Sequence, residues 1–168
     1  MANKELNNSK ESFVTFMMNE ERYAISVFKV TELLEMMPVT KVPRVPEFMR
    51  GVINLRGEVI PVIDSRIKFS FPEVADTINT CIIVMQVQIQ NRDAKVGIIV
   101  DSISEVIEID KKEILPLPSL NNHKKSDSVT GVIKENDQIT MVLDVDAEFK
   151  KDVTELDKME LQEEEVLG

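Results

Sequence analysis

The chain has 168 residues, 43% hydrophobic and 30% charged, with 20 basic against 30 acidic residues and a formal net charge of −10. That balance suits a globular protein and argues against nucleic-acid binding, which needs a basic face to neutralise phosphates and rings to stack bases; aromatics are only 5% and Trp is absent. A single cysteine excludes an internal disulfide, and with no apolar signal core and no run near the roughly 18 residues of a membrane span, a soluble, cytoplasmic protein without membrane insertion is expected.

Residues 1–11 carry no periodic pattern and are expected to form a disordered arm. Residues 12–26 read as a hairpin, FVTFMM and RYAIS, turning at Asn19-Glu20-Glu21. Ser26 is a candidate N-cap, and Val27, Val30, Leu34 and Met37 share one helical face, so a short amphipathic helix ended by Pro38 is predicted. Pro43 and Pro46 mark an edge strand or extended connector, with Pro46 able to open a single turn before Gly51. In RGVINLRGEVIPVID two β-rich runs meet at Arg56-Gly57, where Gly57 can supply the positive φ of a tight turn. Pro61 in the second run implies an edge position or a bulge.

A loop around FSFPEVADTIN leads to two long strands, TCIIVMQVQIQ and AKVGIIVDSISEVIEI, turning at Asn91-Arg92-Asp93. The near-continuous apolarity of CIIVM and VGIIV predicts strands covered on both faces, and Gly97 marks a bend or a close backbone approach. Asp110-Lys-Lys-Glu113 resembles a capping box for one helical turn, and Pro116 and Pro118 impose an extended path into a polar, mobile loop at 119–128. A last hairpin, VTGVIKEN and DQITMVLDVD, turns near Asn136-Asp137. From Ala147 the pattern is helical, with Val153, Leu156 and Met159 on one side. From Glu148 to Gly168 there are eight acids against three bases, read as a solvated helix and tail before a contact with a basic partner. The glycine-bearing hairpin ending in Asp at 51–64 and the GIIVD strand at 97–101 look alike and hint at duplication.

Many short strands at close spacing favour a mostly all-β fold, small barrels or a sandwich, over an α/β enzyme. No CxxC, HExxH or phosphate-loop pattern occurs, so no metal, nucleotide or other cofactor is expected. His123 lies in a polar loop without a partner base, and Cys81 lies mid-strand in an apolar run. A small hydrolase built on these two residues is the alternative from another class.

The block RGVINLRGEVIPVIDSR at 50–66 strongly resembles the signature hairpin of the CheW family of chemotaxis coupling proteins. Supporting matches follow in order: FVTFMMNEERYAISVFKVTELL at 13–34, KVGIIVDSISEV at 95–106, ILPLP at 114–118 and GVIKENDQITMVLDV at 131–145. The resemblance covers 13–149. It departs at Ser102, where relatives often have Gly, and at Ser65, where Leu is usual.

The resemblance implies two packed five-stranded SH3-like β-barrels with strands exchanged between the sequence halves, short helices and a C-terminal helix. The domain would span 12–149, with 150–168 an acidic helix or tail. It also implies a non-catalytic adaptor that binds the cytoplasmic tip of methyl-accepting chemoreceptors and the regulatory domain of a CheA-type histidine kinase. Contacts with other CheW copies in the rings of membrane-associated arrays are part of the same expectation. A CheV-like adaptor is the variant reading; it would need a receiver domain, for which the roughly 20 residues after the last strand leave no room.

By resemblance, Arg56 lies near the receptor groove, with Val30 in its apolar lining and Glu32 at its border facing solvent. Ile103 and Val106 would form the opposite wall. Read without the family, Arg56 is a turn residue kept for solubility and Val30 a core residue. Pro46, Glu47, Phe48 and Gly51 mark the expected kinase surface, whereas Gly51, Gly57 and Gly97 are explained by backbone geometry. Asp64 and Arg66 are expected to pair with each other or with nearby backbone.

Overall fold

Four hairpins build the chain, each closed by a two-residue turn with positive φ at both positions: Asn19-Glu20, Arg56-Gly57, Gln90-Asn91 and Asn136-Asp137. Such turns match the right-handed twist of their flanking strands, and each contains at least one Asn, Asp or Gly, the residues that accept positive φ most readily. A computed structural model describes residues 9–72, 74–117 and 128–154. The strands are β1 (Lys10–Met18), β2 (Glu21–Ser26), β3 (Val30–Glu35), β4 (Met49–Leu55), β5 (Glu58–Asp64), β6 (Cys81–Ile89), β7 (Arg92–Val100), β8 (Ser102–Asp110), β9 (Ile114–Leu115), β10 (Val129–Glu135) and β11 (Gln138–Leu143). Helix α1 is Ser65–Lys68, and α2 runs over 145–154 within the described residues.

The strands form two packed sheets. The first has the order β8-β1-β2-β11-β10-β9 and the second β3-β6-β7-β5-β4. Most pairings are antiparallel, but β11 runs parallel to β2 and β5 parallel to β7. Period-2 alternation divides the apolar strands between two faces. Ile82, Val84 and Ile99 face a cluster with Ile53, Ile60 and Val62, while Ile83, Met85, Val87 and Ile98 face the large core shared with Phe16, Tyr23 and Phe149. A third cluster, Phe13, Ala24, Ile109, Ile133 and Val142, belongs to the first sheet. Each such Ile withdrawn from water contributes about 1.5–3 kcal/mol, so β6 and β7, covered on both sides as their apolarity implies, anchor the fold.

Several expectations are corrected. Val27 to Met37 do not form a helix: Ser26 caps only the 3₁₀ turn Val27–Lys29, accepting from Phe28 N at 3.3 Å, and β3 follows. Val30 and Leu34 fit a period of two as well as a helical face, and the open edge of β6 offers a ladder that a lone helix would not satisfy. Pro61 lies in the interior strand β5, not at an edge. It is tolerated because its partner Val52 turns both backbone groups outward to Thr40 and the parallel ladder to β7 starts only at Val62. The turn after β6 is Gln90-Asn91, earlier than expected, and the single strand expected beyond it is broken at Asp101 into β7 and β8, which belong to different sheets. Gly97 marks a close approach and no bend, since a Cβ there would stand 3.0 Å from Ile82 Cγ2. Lys10 and Glu11 are paired in β1 against β8, so the expected disordered arm loses its last residues to the sheet, and residues 1–8 lie outside the described ones.

The duplication hinted at by 97–101 sits elsewhere. GVINLRGEVIPVID at 51–64 is matched by GVIKENDQITMVLD at 131–144: each is a hairpin, each pairs in parallel with the second strand of another hairpin, and each ends in an Asp that caps a helix. Both have a bulge, between Met49 and Gly51 and between Val129 and Gly131. At Gly51 (φ 147°) a Cβ would lie 2.1 Å from the Thr40 carbonyl oxygen. Gly51→Ala is therefore expected to cost roughly 2–5 kcal/mol from strain and overpacking together, read as a lowered melting temperature.

Candidate functional site

The Arg56-Gly57 turn is held by Asn54 Oδ1, which accepts from Gly57 N at 2.9 Å. From this tip the Arg56 guanidinium donates in a fork to Glu32, Nη1 to Oε1 at 3.0 Å and Nη2 to Oε2 at 2.6 Å. Glu32 belongs to β3 and Arg56 follows β4, the strands at opposite ends of the second sheet's order, so the pair brings those two ends together. The hydrogen bond from Arg56 holds the Glu32 carboxyl below its usual range and raises the guanidinium in return. Glu32 thus does not simply face solvent: its side chain is 29% exposed, whereas that of Arg56 is 72% exposed.

The other expected groove residues divide between the sheets. Val30 is half-buried on β3 opposite Met85 and packs on the shared core. Ile103 packs on the same core from β8, across from Phe16. Val106, 62% exposed, stands on β8 opposite Val14. Strands β3 and β8 are each the edge of a sheet. Val30 and Glu32 therefore approach from one sheet, Ile103 and Val106 from the other.

The segment expected to face a kinase forms a turn, Met49 N donating to the Pro46 carbonyl at 2.9 Å, with Pro46 and Glu47 exposed. Phe48 is half-buried beneath Lys68 Nζ, 5.4 Å from its ring centroid, and its carbonyl accepts from Asp64 N at 2.7 Å. Gly51 serves the backbone. Cys81 Sγ donates to the Asn79 carbonyl at 2.8 Å, and His123 lies outside the described residues. Among the described residues no group of three or more His, Cys, Asp or Glu is placed to hold a metal ion.

Sequence reading foresaw the Asp64–Arg66 pair but missed the network around it. Arg66 Nε meets Asp64 Oδ1 at 2.9 Å, Nη2 meets Asp76 Oδ1 at 2.9 Å, and Nη1 meets Asp101 Oδ1 at 3.1 Å. Arg50 joins Asp64 at 3.2 Å and also pairs with Asp76. The hydrogen bond to Asp64 leads in raising the Arg66 pKa, against the cost of burial. A charged residue directly after the apolar run GIIV was the available signal for Asp101; Arg50 and Asp76 offered none. Arg22, also buried, reaches Glu105 on β8 at 2.8 Å and Gln138 at 3.0 Å, tying the edge of the first sheet to its hairpin β10–β11 as Arg56 and Glu32 do in the second. Burial, then the charge of Glu21, pushes the Tyr23 hydroxyl up to about 12.

A family model described as CheW-like domain matches residues 12–153. The chain belongs to the CheW family. The match reaches Val153, beyond the boundary at 149 expected from sequence, and Val153 is buried in the shared core. Among curated relatives, the chain is 36% identical over 142 residues to a chemotaxis protein CheW of Bacillus subtilis, covering 84% of this chain and 88% of the relative. It is 31% identical to the CheW of Klebsiella aerogenes over 136 residues, 81% of this chain and 80% of the relative. A crystal structure of the scaffolding protein TtCheW from Thermoanaerobacter tengcongensis superposes with a TM-score of 0.73 at 34% identity, covering 83% of this chain and 92% of the other. Within this CheW fold the departure at Ser65 is accommodated in the interior: the side chain is fully buried and its Oγ donates to the Ile99 carbonyl at 2.5 Å, joining α1 to β7.

Proposed function

We propose that this chain is an adaptor that couples chemoreceptors to a CheA-type histidine kinase. The Arg56-bearing face takes the receptor tip and the 46–51 turn takes the kinase regulatory domain. Binding both partners makes the kinase's active-state equilibrium depend on receptor conformation, a coupling that needs no bond to be made or broken by the chain itself. Membership of a chemotaxis family over 12–153 carries this reading, and the solved relative described as a scaffolding protein supports it. No helix among the described residues is long and apolar enough to cross a membrane; association with membrane arrays would come through the receptors.

The exposed guanidinium, pre-oriented by Glu32, is a donor suited to polar atoms on a receptor helix. Arg56→Glu sets two carboxylates face to face and removes that donor. Association with a receptor-tip helical hairpin is expected to weaken roughly tenfold or more, by titration of the purified protein. Affinity for the kinase regulatory domain and the melting temperature should stay close to those of the parent. Unchanged receptor affinity and unchanged kinase activation would remove Arg56 from the site.

A further inference from the structure

The chain passes between its two sheets twice, at the 3₁₀ turn Val27–Lys29 between β2 and β3 and at Asp101 between β7 and β8. Each passage is held by an ion pair from the same position of the repeated hairpins. Arg66 stands two residues after Asp64, and Asp146 two residues after Asp144. Arg66 Nη1 reaches Asp101 Oδ1 at 3.1 Å, and Lys29 Nζ reaches Asp146 Oδ2 at 2.5 Å. The charges are exchanged between the two halves while the connection is kept.

Each carboxylate also binds across the sheets. Asp101 Oδ2 accepts from Asn19 N, in the β1–β2 turn, at 2.8 Å. Asp146 Oδ1 accepts from Gln88 N, near the end of β6, at 3.0 Å. Lys29 leads directly into Val30 and Glu32, and Asp101 leads into Ile103 and Val106. Both edge strands with candidate docking residues therefore start at an ion-paired crossing.

We infer that Lys29–Asp146 and Arg66–Asp101 are positioning pairs that set the placement of one sheet against the other, and through it the spacing of the two receptor-facing edge strands. Only the last step rests on the receptor-binding reading; the placement does not. The Lys29–Asp146 pair is the better probe because both side chains are about a third exposed, 32% and 30%, so charge changes there leave the core packing in place.

The test uses the full chain carrying Cys81→Ser and nitroxides at Val59→Cys and Ile139→Cys, equivalent exposed positions of the two hairpins. Lys29→Asp should broaden the inter-sheet distance distribution seen by pulsed dipolar spectroscopy and weaken binding of a receptor-tip helical hairpin about three- to tenfold. The exchange Lys29→Asp/Asp146→Lys should move both most of the way back to the parental values, the lost bond from Gln88 N to Asp146 accounting for the remainder. A direct receptor contact by Lys29 would not be rescued by the exchange. A distribution that stays narrow in Lys29→Asp, or stays broad in the exchanged variant, overturns the positioning role. Parental protein that fails to bind the receptor tip while the distances respond as expected sinks the receptor reading and leaves the positioning pairs standing. Parental binding that Lys29→Asp leaves untouched, despite altered distances, overturns the link from sheet placement to the receptor strands.

Discussion

Arg66→Ala is expected to lower the free energy of unfolding by about 3–5 kcal/mol, measured by urea denaturation at neutral pH. The guanidinium is nearly fully buried and spends its donors on Asp64, Asp76 and Asp101, which come from β5, the loop before β6 and the crossing between sheets. Removing it leaves Asp64, only 2% exposed, with Arg50 as its remaining charged partner at 3.2 Å. Arg50 is itself only partly buried, so its residual pairing places the loss toward the lower end of the range. Arg66→Lys restores the charge but not the fork, and one ammonium cannot reach three carboxylates in the same geometry, so an intermediate loss is expected. A loss below about 1 kcal/mol in Arg66→Ala would mean that the network contributes no more than an exposed pair.

Phe149→Ala should cost a similar amount, about 3–5 kcal/mol, for a different reason. Val145, Phe149 and Val153 recur at helical spacing on α2 and are all buried in the core shared by the two sheets. The Phe149 ring also lies 5.3 Å from Lys68 Nζ, which pairs with Glu148 at 3.7 Å and with Asp152 on the same helix. Truncation opens a cavity bounded by strands of both sheets, which cannot collapse into it together. Lys150→Ala, on the exposed side of α2, should change stability by less than about 0.5 kcal/mol. Equal melting temperatures for Phe149→Ala and Lys150→Ala would show α2 to be an appendage. The contrast bears on the domain boundary, because the acidic character of the chain after 147 suggested a solvated extension, while one face of that helix completes the core. Leu156 and Met159, expected on the same face, lie outside the described residues.

What sequence makes legible here follows the range of the interactions involved. Arg56-Gly57 and Asn136-Asp137 announced their hairpins because a turn with positive φ is a local demand on a few residues. Asp110 and Ser26 were recognisable as caps for the same reason. The segment after Ser26 was misread because Val30 and Leu34 satisfy both a helical and a strand period, and only the edge of β6, distant in sequence, decides between them. The run from Ala94 to Ile109 shows no break in sequence because the partners that fix Asp101, Met17, Asn19 and Arg66, lie far from it along the chain.

The candidate site divides in the same way. Arg56 and Glu32 could each be named from family resemblance, but their mutual fork could not, because it joins the two ends of a sheet order. Residue type and short-range spacing are enough for the β-rich class, the family, the two-sided burial of CIIVM and VGIIV, and three of the four hairpin turns, Gln90-Asn91 being the exception. Where the chain crosses between sheets, which charges pin those crossings and how far the core extends into α2 are settled by long-range contacts alone. Those outcomes come from groups far apart in the chain: Arg66 and Asp64 are fixed by the interior they share, while Lys29 and Asp146, about a third exposed, are brought together by the packing of the sheets.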